Sequence, residues 1–171
     1  MKAAILQTGQ ADGRFLEIEE VERPVIRDGY VLLRVIACGV CRTDLHIAEG
    51  DLPVIKQALI PGHQIVGEVI EGATAAVPLG VKVGVSWMGG TDGDCWYCQH
   101  DRENLCDKPT FTGYTVNGGY AEFALVRAGL SGAGAARTIA RLAAFPFAVI
   151  YLLVYAGSAH ARRTLRRAFQ S

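Results

Sequence analysis

Three of the five cysteines stand close together in a polar stretch, in the order Cys95-x2-Cys98-x7-Cys106. Three loose thiols in a loop are the plainer explanation. Clustered cysteines in a chain with no export signal point instead to a metal, and zinc takes thiolates at this kind of spacing. Residues 91–109 can bury little apolar surface, so we expect a bound metal to hold this segment together.

The secondary-structure elements that position these residues are predicted to be mainly β-strands. The run Phe15–Glu19 alternates apolar and charged side chains, as a half-buried strand does. Runs bounded by turn residues predict strands at Lys2–Gln7, Phe15–Val21, Tyr30–Ala37, Ile65–Ile70, Val81–Trp87 and Gly118–Val126. One or two helical turns are expected at Thr43–Ala48. Many short strands with Gly-rich turns favour a small barrel or sandwich.

Two further segments carry residues of the types that bind metals, Cys41–His46 (CRTDLH) and Pro61–Gln64 (PGHQ). Taken singly, each residue favours an ordinary buried Cys or His. Together they resemble the catalytic zinc site of the zinc-dependent medium-chain alcohol dehydrogenases, whose pattern is Cys-x-Thr/Ser-Asp-x-His followed by Gly-His-Glu. The resemblance runs almost unbroken from Met1 to Arg127, about three quarters of the chain. It implies a GroES-like β-barrel with a zinc-binding lobe over residues 1–127.

The resemblance implies that Cys41 and His63 are catalytic zinc ligands. A thiolate and a neutral imidazole hold zinc while a coordination position stays open. An alcohol bound there loses its proton more easily, and hydride can then pass to the nicotinamide of NAD. The implied substrate is therefore a small alcohol or the corresponding aldehyde.

Five neighbouring residues receive roles from the same resemblance. Thr43 takes the alcohol proton and passes it towards His46. Asp44 orients the histidine ligand, as metal-bound imidazoles usually require. Arg42 and His46 lie near the coenzyme, and Trp87 lines the substrate pocket with Thr43.

The cysteine cluster also matches the family, which carries a structural zinc lobe with four cysteines. The position three residues before Cys95 holds Asp92, so the implied ligands are Asp92, Cys95, Cys98 and Cys106. A carboxylate can replace a thiolate on zinc. The alternative is that Asp92 marks a decayed site with three ligands.

Two departures from the family pattern affect the expected activity. Gln64 stands where the family has a glutamate thought to assist ligand exchange. The family's third catalytic ligand is a Cys about ninety residues after the His, and the segment Leu152–Gly157 (LLVYAG) holds none. A site with two protein ligands is expected to bind zinc weakly, because catalytic zinc normally has three.

Composition divides the chain after Arg127. Residues 1–127 hold all 17 acidic side chains and 11 basic ones, a net charge of −6. Residues 128–171 hold six Arg and no acidic residue, a net charge of +6, and we treat them as an atypical tail, helical or disordered. The overall balance gives no reason to expect nucleic acid as a partner. The N-terminus shows no secretory signal, so a cytoplasmic location is expected.

The tail has two competing interpretations. Its Ala, Arg and Gly content is typical of a shifted reading frame of GC-rich DNA, which we favour. Alternatively, Leu142–Ala159 is 18 mostly apolar residues flanked by Arg, long enough for a membrane anchor. Gly132–Arg137 (GAGAAR) matches a dinucleotide-binding GxGxxG turn only in part, so we expect no Rossmann domain.

These observations leave three hypotheses about function. The leading one is a truncated zinc-dependent alcohol dehydrogenase, inactive alone for want of a coenzyme domain and a third ligand. The alternatives are a zinc-binding module without catalysis and a membrane-anchored stub. The choice between NAD and NADP, the natural alcohol and the oligomeric state stay open.

Overall fold

A computed structural model describes residues 1–7, 16–53, 55–75 and 77–128, and the backbone of 139–141. Within these residues the elements follow in chain order: β1 (Lys2–Leu6), β2 (Leu16–Glu20), β3 (Tyr30–Gly39), α1 (Arg42–Glu49), β4 (Gln64–Glu71), β5 (Lys82–Val85), β6 (Met88–Gly90), α2 (Trp96–Gln99), a 3₁₀ turn (Glu103–Leu105), β7 (Thr110–Phe111), β8 (Phe123–Arg127) and β9 (Ile139–Arg141). The prediction of a mainly β domain is confirmed.

The strands form one five-stranded antiparallel sheet and two strand pairs. The sheet order is β8-β3-β4-β5-β9, and the pairs are β1-β2 and β6-β7. Strand β3 is the longest and carries two register shifts against β4, one between Leu32 and Leu33 and one between Val35 and Ala37. Bulges of this kind bend a strand and increase its twist, which curves the sheet around its apolar face.

The main core lies on one face of the sheet. Alternate residues of β3, β4 and β5 point into it, as the two-residue period of a strand requires. The central side chains are buried and belong to one cluster: Val31, Leu33, Ile65, Val69 and Val83. Each such side chain contributes about 1.5–3 kcal/mol by leaving water. This face therefore fixes the register of β3 against β4.

That register brings the two ligand-bearing segments together. Gly39, the last residue of β3, pairs with Gln64, the first residue of β4. Cys41 follows the end of β3, and His63 precedes the start of β4. Because the strands are antiparallel, the two segments emerge side by side at the same end of the sheet.

Two expectations about strands and helices need correction. The strand expected at Gly118–Val126 begins only at Phe123. The N–H groups of Gly118 and Gly119 bond instead to the carbonyls of Ile60 and Gly62. In the tail, expected to be helical or disordered, Ile139–Arg141 forms strand β9, which occupies the hydrogen-bonding edge of β5.

The proposed membrane anchor at Leu142–Ala159 and the segment Leu152–Gly157 lie outside the described residues. Among the residues that are described, no helix has the length and apolar character needed to cross a membrane.

Candidate functional site

The first candidate centre begins at the N-terminus of α1. Cys41 is the N-cap, and its Sγ accepts a hydrogen bond from the backbone N–H of Thr43 at 3.5 Å. Asp44 completes a capping box, because its Oδ2 accepts from the N–H of Cys41 at 2.8 Å. The positive end of the helix dipole favours a thiolate at this position.

Asp44 joins the helix to the segment before β4. Its Oδ1 lies 3.2 Å from Nδ1 of His63 and accepts from the N–H of Gly62 at 3.2 Å. Both Asp44 and His63 are buried. A carboxylate that accepts from Nδ1–H fixes the tautomer in which Nε2 is free to bind a metal. Ligand atoms of Cys41, Asp44 and His63 lie within 4.8 Å of one another.

Cys41 and His63 shift each other's pKa towards the charged forms. Burial raises the pKa of Cys41. The hydrogen bonds from the N–H and hydroxyl of Thr43, together with the nearby His63, outweigh burial, so this pKa lies below its ordinary value. Burial lowers the pKa of His63, but the hydrogen bond and charge of Asp44, then Cys41, outweigh it and raise this pKa. The thiolate of Cys41 and the imidazolium of His63 thus stabilise each other, and a divalent cation bound there would supply the positive charge in place of the imidazolium proton.

An aromatic wall stands beside His63. The Trp87 ring meets the imidazole edge-on, with 5.0 Å between ring centroids. Phe111 stacks on Trp87 at 4.8 Å and Tyr114 at 6.0 Å. The Tyr114 hydroxyl also donates to the carbonyl of Pro53 at 2.9 Å. Sequence reasoning named Trp87 but missed Phe111 and Tyr114, whose aromatic spacing in Phe111–Thr115 (FTGYT) was the available signal.

The remaining residues of α1 divide between the site and the surface. The Thr43 hydroxyl lies 3.6 Å from Sγ of Cys41. Arg42 pairs with Glu49 at 3.7 Å, and its side chain is 53 % exposed. His46 pairs through Nδ1 with Asp51 at 2.6 Å and is 40 % exposed. The structure therefore places Thr43 at the cluster, whereas Arg42 and His46 face outward.

Gln64 lies at the edge of this centre. It is exposed, and its side-chain oxygen rests against Gly39, where an added Cβ would lie 2.6 Å from Oε1. A side chain at position 39 would displace Gln64, so the close contact between the Gln64 side chain and the end of β3 depends on glycine at that position.

The second candidate centre is the polar lobe. Ligand atoms of Asp92, Cys95, Cys98 and Cys106, the four residues that the resemblance singled out, lie within 4.8 Å of one another. Helix α2 brings Cys95 and Cys98 together, because Cys95 is its N-cap and accepts from the N–H of Cys98 at 3.5 Å. The 3₁₀ turn ends at Leu105, directly before Cys106.

Backbone N–H groups point at the lobe's ligand atoms. Sγ of Cys106 accepts from the N–H of Asp92 and of Lys108, each at 3.4 Å. Oδ1 of Asp92 accepts from the N–H of Asp94 and of Cys95, each at 3.1 Å. Donors arranged in this way favour negatively charged sulfur and oxygen.

The electrostatics of the lobe call for a cation. The backbone N–H of Cys95 is the main reason that the pKa of Asp92 lies well below its usual range. Burial, followed by the neighbouring Cys95, Asp92 and Cys106, raises the pKa of Cys98 to about 12. Four converging donors, of which one is kept protonated by burial and by its neighbours, fit a tetrahedral zinc.

The donor sets of the two centres differ in completeness. The lobe offers three sulfurs and a carboxylate, which is a full tetrahedral set. The first centre offers Cys41 and His63, while both oxygens of Asp44 already accept hydrogen bonds. Zinc therefore fits both centres, with four protein ligands in the lobe and two among the described residues of the first centre.

The sequence is similar to known proteins over most of this region. Residues 27–131 match the alcohol dehydrogenase GroES-like domain. An alcohol dehydrogenase of Geobacillus stearothermophilus is 46 % identical over 126 residues, which are 72 % of this chain and 36 % of that protein. A probable alcohol dehydrogenase of Mycobacterium tuberculosis is 51 % identical over 105 residues, 57 % of this chain and 30 % of that one.

The fold agrees with that similarity. A cobalt- and zinc-bound thermostable alcohol dehydrogenase of Pyrobaculum aerophilum superposes with a TM-score of 0.70 and 29 % identity, over 85 % of this chain and 42 % of that one. A D-arabinose dehydrogenase of Sulfolobus solfataricus gives a TM-score of 0.65 with 30 % identity, over 84 % of this chain and 41 % of that one. The chain thus spans about a third of the length of the two curated relatives from Geobacillus and Mycobacterium.

Proposed function

Because the chain belongs to the alcohol dehydrogenase GroES-like domain family, we propose that it supplies the zinc-binding and alcohol-binding part of an NAD-linked alcohol oxidation, or of the reverse aldehyde reduction. One observation carries the proposal: Cys41 and His63 meet beside an aromatic wall, and a buried carboxylate orients the imidazole. When bound there, zinc would acidify an alcohol and polarise an aldehyde.

Each side chain then has a task that its position supports. Asp44 keeps the proton on Nδ1 of His63, so that Nε2 faces the metal. The Thr43 hydroxyl, beside Sγ of Cys41, accepts the proton that the alcohol loses and hands it towards the exposed His46. Trp87 excludes water from one side of the substrate. Arg42 and His46 face outward, and there the Arg42 guanidinium, which pairs with Glu49, would meet a coenzyme phosphate.

We further propose that the 171 residues alone give no turnover. The first centre provides two protein ligands among its described residues, while the Asp44 carboxylate is already held by hydrogen bonds that it accepts from Cys41, Gly62 and His63. Catalytic zinc normally has three protein ligands, so the metal should exchange readily here.

A chimaera tests this proposal. Residues 1–127 would be joined to the part of the Geobacillus enzyme that follows its matching region, and alcohol-dependent formation of NADH would be measured with zinc present. The chimaera should turn over, while the chain alone and the chimaera carrying His63→Ala should not. A silent chimaera that is folded and zinc-loaded would refute the enzymatic role, and turnover by the chain alone would refute its proposed inactivity.

The lobe favours a second candidate function, a zinc-binding module without catalysis. Its four donors form a complete set, whereas the first centre has two ligands and carries Gln64 where the family has a glutamate. In that case the chimaera would keep zinc in the lobe and stay inactive even with Gln64→Glu.

A further inference from the structure

The two ligands of the first centre come from different segments. Cys41 follows the end of β3, and His63 precedes β4. Apart from the strand register, something must hold these ends at a fixed separation, because an error of about 1 Å in a site of this kind is costly. Tyr120, which takes no part in the proposed chemistry, contacts both of the segments that carry these ligands.

Two glycines allow the chain to bring Tyr120 this close. A Cβ on Gly118 would lie 2.1 Å from the carbonyl oxygen of Gly62, and one on Gly119 would lie 2.4 Å from the side chain of Ile65. With glycine at both positions the backbones pack directly. The N–H of Gly119 donates to the carbonyl of Gly62 at 2.8 Å, and that of Tyr120 to the carbonyl of Pro61 at 3.1 Å.

The Tyr120 ring lies on the residue before the histidine ligand. A Cβ on Gly62 would be 2.6 Å from Cδ1 and 2.8 Å from Cε1 of this ring. Gly62 has φ of 92°, and its N–H donates to Asp44. The Tyr120 ring therefore packs against Gly62, whose N–H also helps to hold the Asp44 carboxylate that orients His63.

The hydroxyl of Tyr120 reaches the other segment. It donates to the carbonyl of Gly39 at 3.4 Å, two residues before Cys41. Burial, and then the charges of Asp44 and Cys38, raise the pKa of Tyr120, and a hydrogen bond with Asp44 acts in the same direction. The hydroxyl thus stays protonated and keeps its ability to donate.

We propose that Tyr120 is a positioning residue that ties the Gly39–Cys41 turn to the Pro61–His63 segment and so sets the geometry in which Cys41 and His63 hold a metal. This inference rests on the proposed function, since it concerns the same centre. Its ring fixes one segment, its hydroxyl fixes the other, and neither group is one of the proposed ligands.

Cobalt(II) binding to the full chain provides the test. With the lobe filled by zinc, cobalt is titrated into the first centre, and the absorption band that disappears in Cys41→Ser reports that centre alone. Tyr120→Phe keeps the ring and loses only the hydroxyl. Loss of an orienting group typically weakens metal affinity by about 10–100-fold, so we expect a weakening in that range and a changed band shape, with zinc in the lobe unaffected.

Tyr114→Phe is the matched control. It also removes a hydroxyl that donates to a backbone carbonyl, that of Pro53, but it leaves both ligand segments untouched. Cobalt affinity should be unchanged in this variant. Tyr120→Leu, which removes the ring as well, should weaken cobalt more than Tyr120→Phe does.

The outcomes separate the two proposals. A wild-type chain without any band that depends on Cys41 overturns the proposed function, and this inference with it. A wild-type band that Tyr120→Phe leaves unaltered in strength and shape overturns the positioning role alone. Equal losses in Tyr120→Phe and Tyr114→Phe, each in step with a lowered melting temperature, also overturn it, because they indicate general destabilisation.

Discussion

A few side chains in this protein have environments that set their chemistry apart from that of neighbours of the same type. Cys38 and Cys41 are three residues apart, yet burial and the charge of Asp44 raise the pKa of Cys38 to about 12, while the pKa of Cys41 is lowered. Cys38 packs against the core, and Cys41 caps a helix. Since the thiolate is the reactive form, the two should differ sharply in reactivity.

Alkylation by iodoacetamide of the metal-free, folded protein measures that difference. At pH 8 we expect Cys41 to be modified well before Cys38, with the sites identified by mass spectrometry. Because the pKa of Cys38 is raised in the folded state, Cys38 stabilises the fold, and this contribution is fully present at pH values below 9.0, the pKa of the unfolded thiol. The contribution is lost as the pH rises towards about 12. Urea-unfolded protein, in which both thiols should react alike, is the control, and equal rates in the folded state would contradict the assignment.

Asp92 offers a second prediction at this scale. Asp92→Ala leaves the lobe with three thiolates and should weaken zinc binding by at least about tenfold, because a ligand is lost. Asp92→Cys should bind zinc at least as tightly as the natural chain, and Asp92→Asn should lie between the two. Competition with a chromogenic chelator gives the affinities. Unchanged affinity in Asp92→Ala would mean that the lobe works with three protein ligands.

At the scale of elements, the first centre depends on close backbone approaches at the ends of β3 and β4. Gly62 combines φ of 92° with two close side chains, those of Tyr120 and Cys38. Gly50, the C-cap of α1, has φ of 81° and nothing within 4 Å of where a Cβ would be. A substitution at Gly50 therefore meets backbone strain alone, whereas one at Gly62 meets both backbone strain and steric crowding.

Substitution of these glycines by alanine tests the packing. Gly50→Ala should lower the free energy of unfolding by about 1–2 kcal/mol, the cost of a left-handed conformation with a Cβ. Gly62→Ala carries that cost and an overpacking cost of about 1–3 kcal/mol more. Urea denaturation of the two variants gives the comparison. Equal losses would show that the Tyr120 ring moves away freely.

The sequence predicted some elements better than others for physical reasons. Tyr30–Ala37 and Ile65–Ile70 were predicted because buried strands are rich in β-branched residues, and the structure extends each by one or two residues. Gly118–Tyr120 was misassigned because its backbone groups bond to Ile60–Gly62, a long-range pairing that leaves no local pattern. Phe111 and Tyr114 were missed although both stand in the short segment Phe111–Thr115, because their stacking on Trp87 appears only once the chain is folded.

At the scale of the whole molecule, the two candidate metal centres differ in position: the first lies where β3 ends and β4 begins, and the lobe lies between β6 and β7. The resemblance to the family's zinc lobe singled out Asp92, Cys95, Cys98 and Cys106, which stand in one short segment of the chain and which the fold brings together. The hydrogen bond between His63 and the Asp44 carboxylate joins residues 19 apart in the chain and depends on the β3–β4 register. The lobe has little apolar core of its own, with α2 and the 3₁₀ turn contributing only short segments, so its order should depend on its metal.

Zinc content of the purified chain after dialysis against a chelator of moderate strength tests this account most directly. Native mass spectrometry should find one zinc retained in the wild-type chain and in Cys41→Ser, and none in a Cys95→Ser/Cys98→Ser double variant. A second zinc should appear in the wild-type chain only when the metal is in excess, and it should be absent from Cys41→Ser. A wild-type chain that retains no more zinc than the double variant would contradict the account.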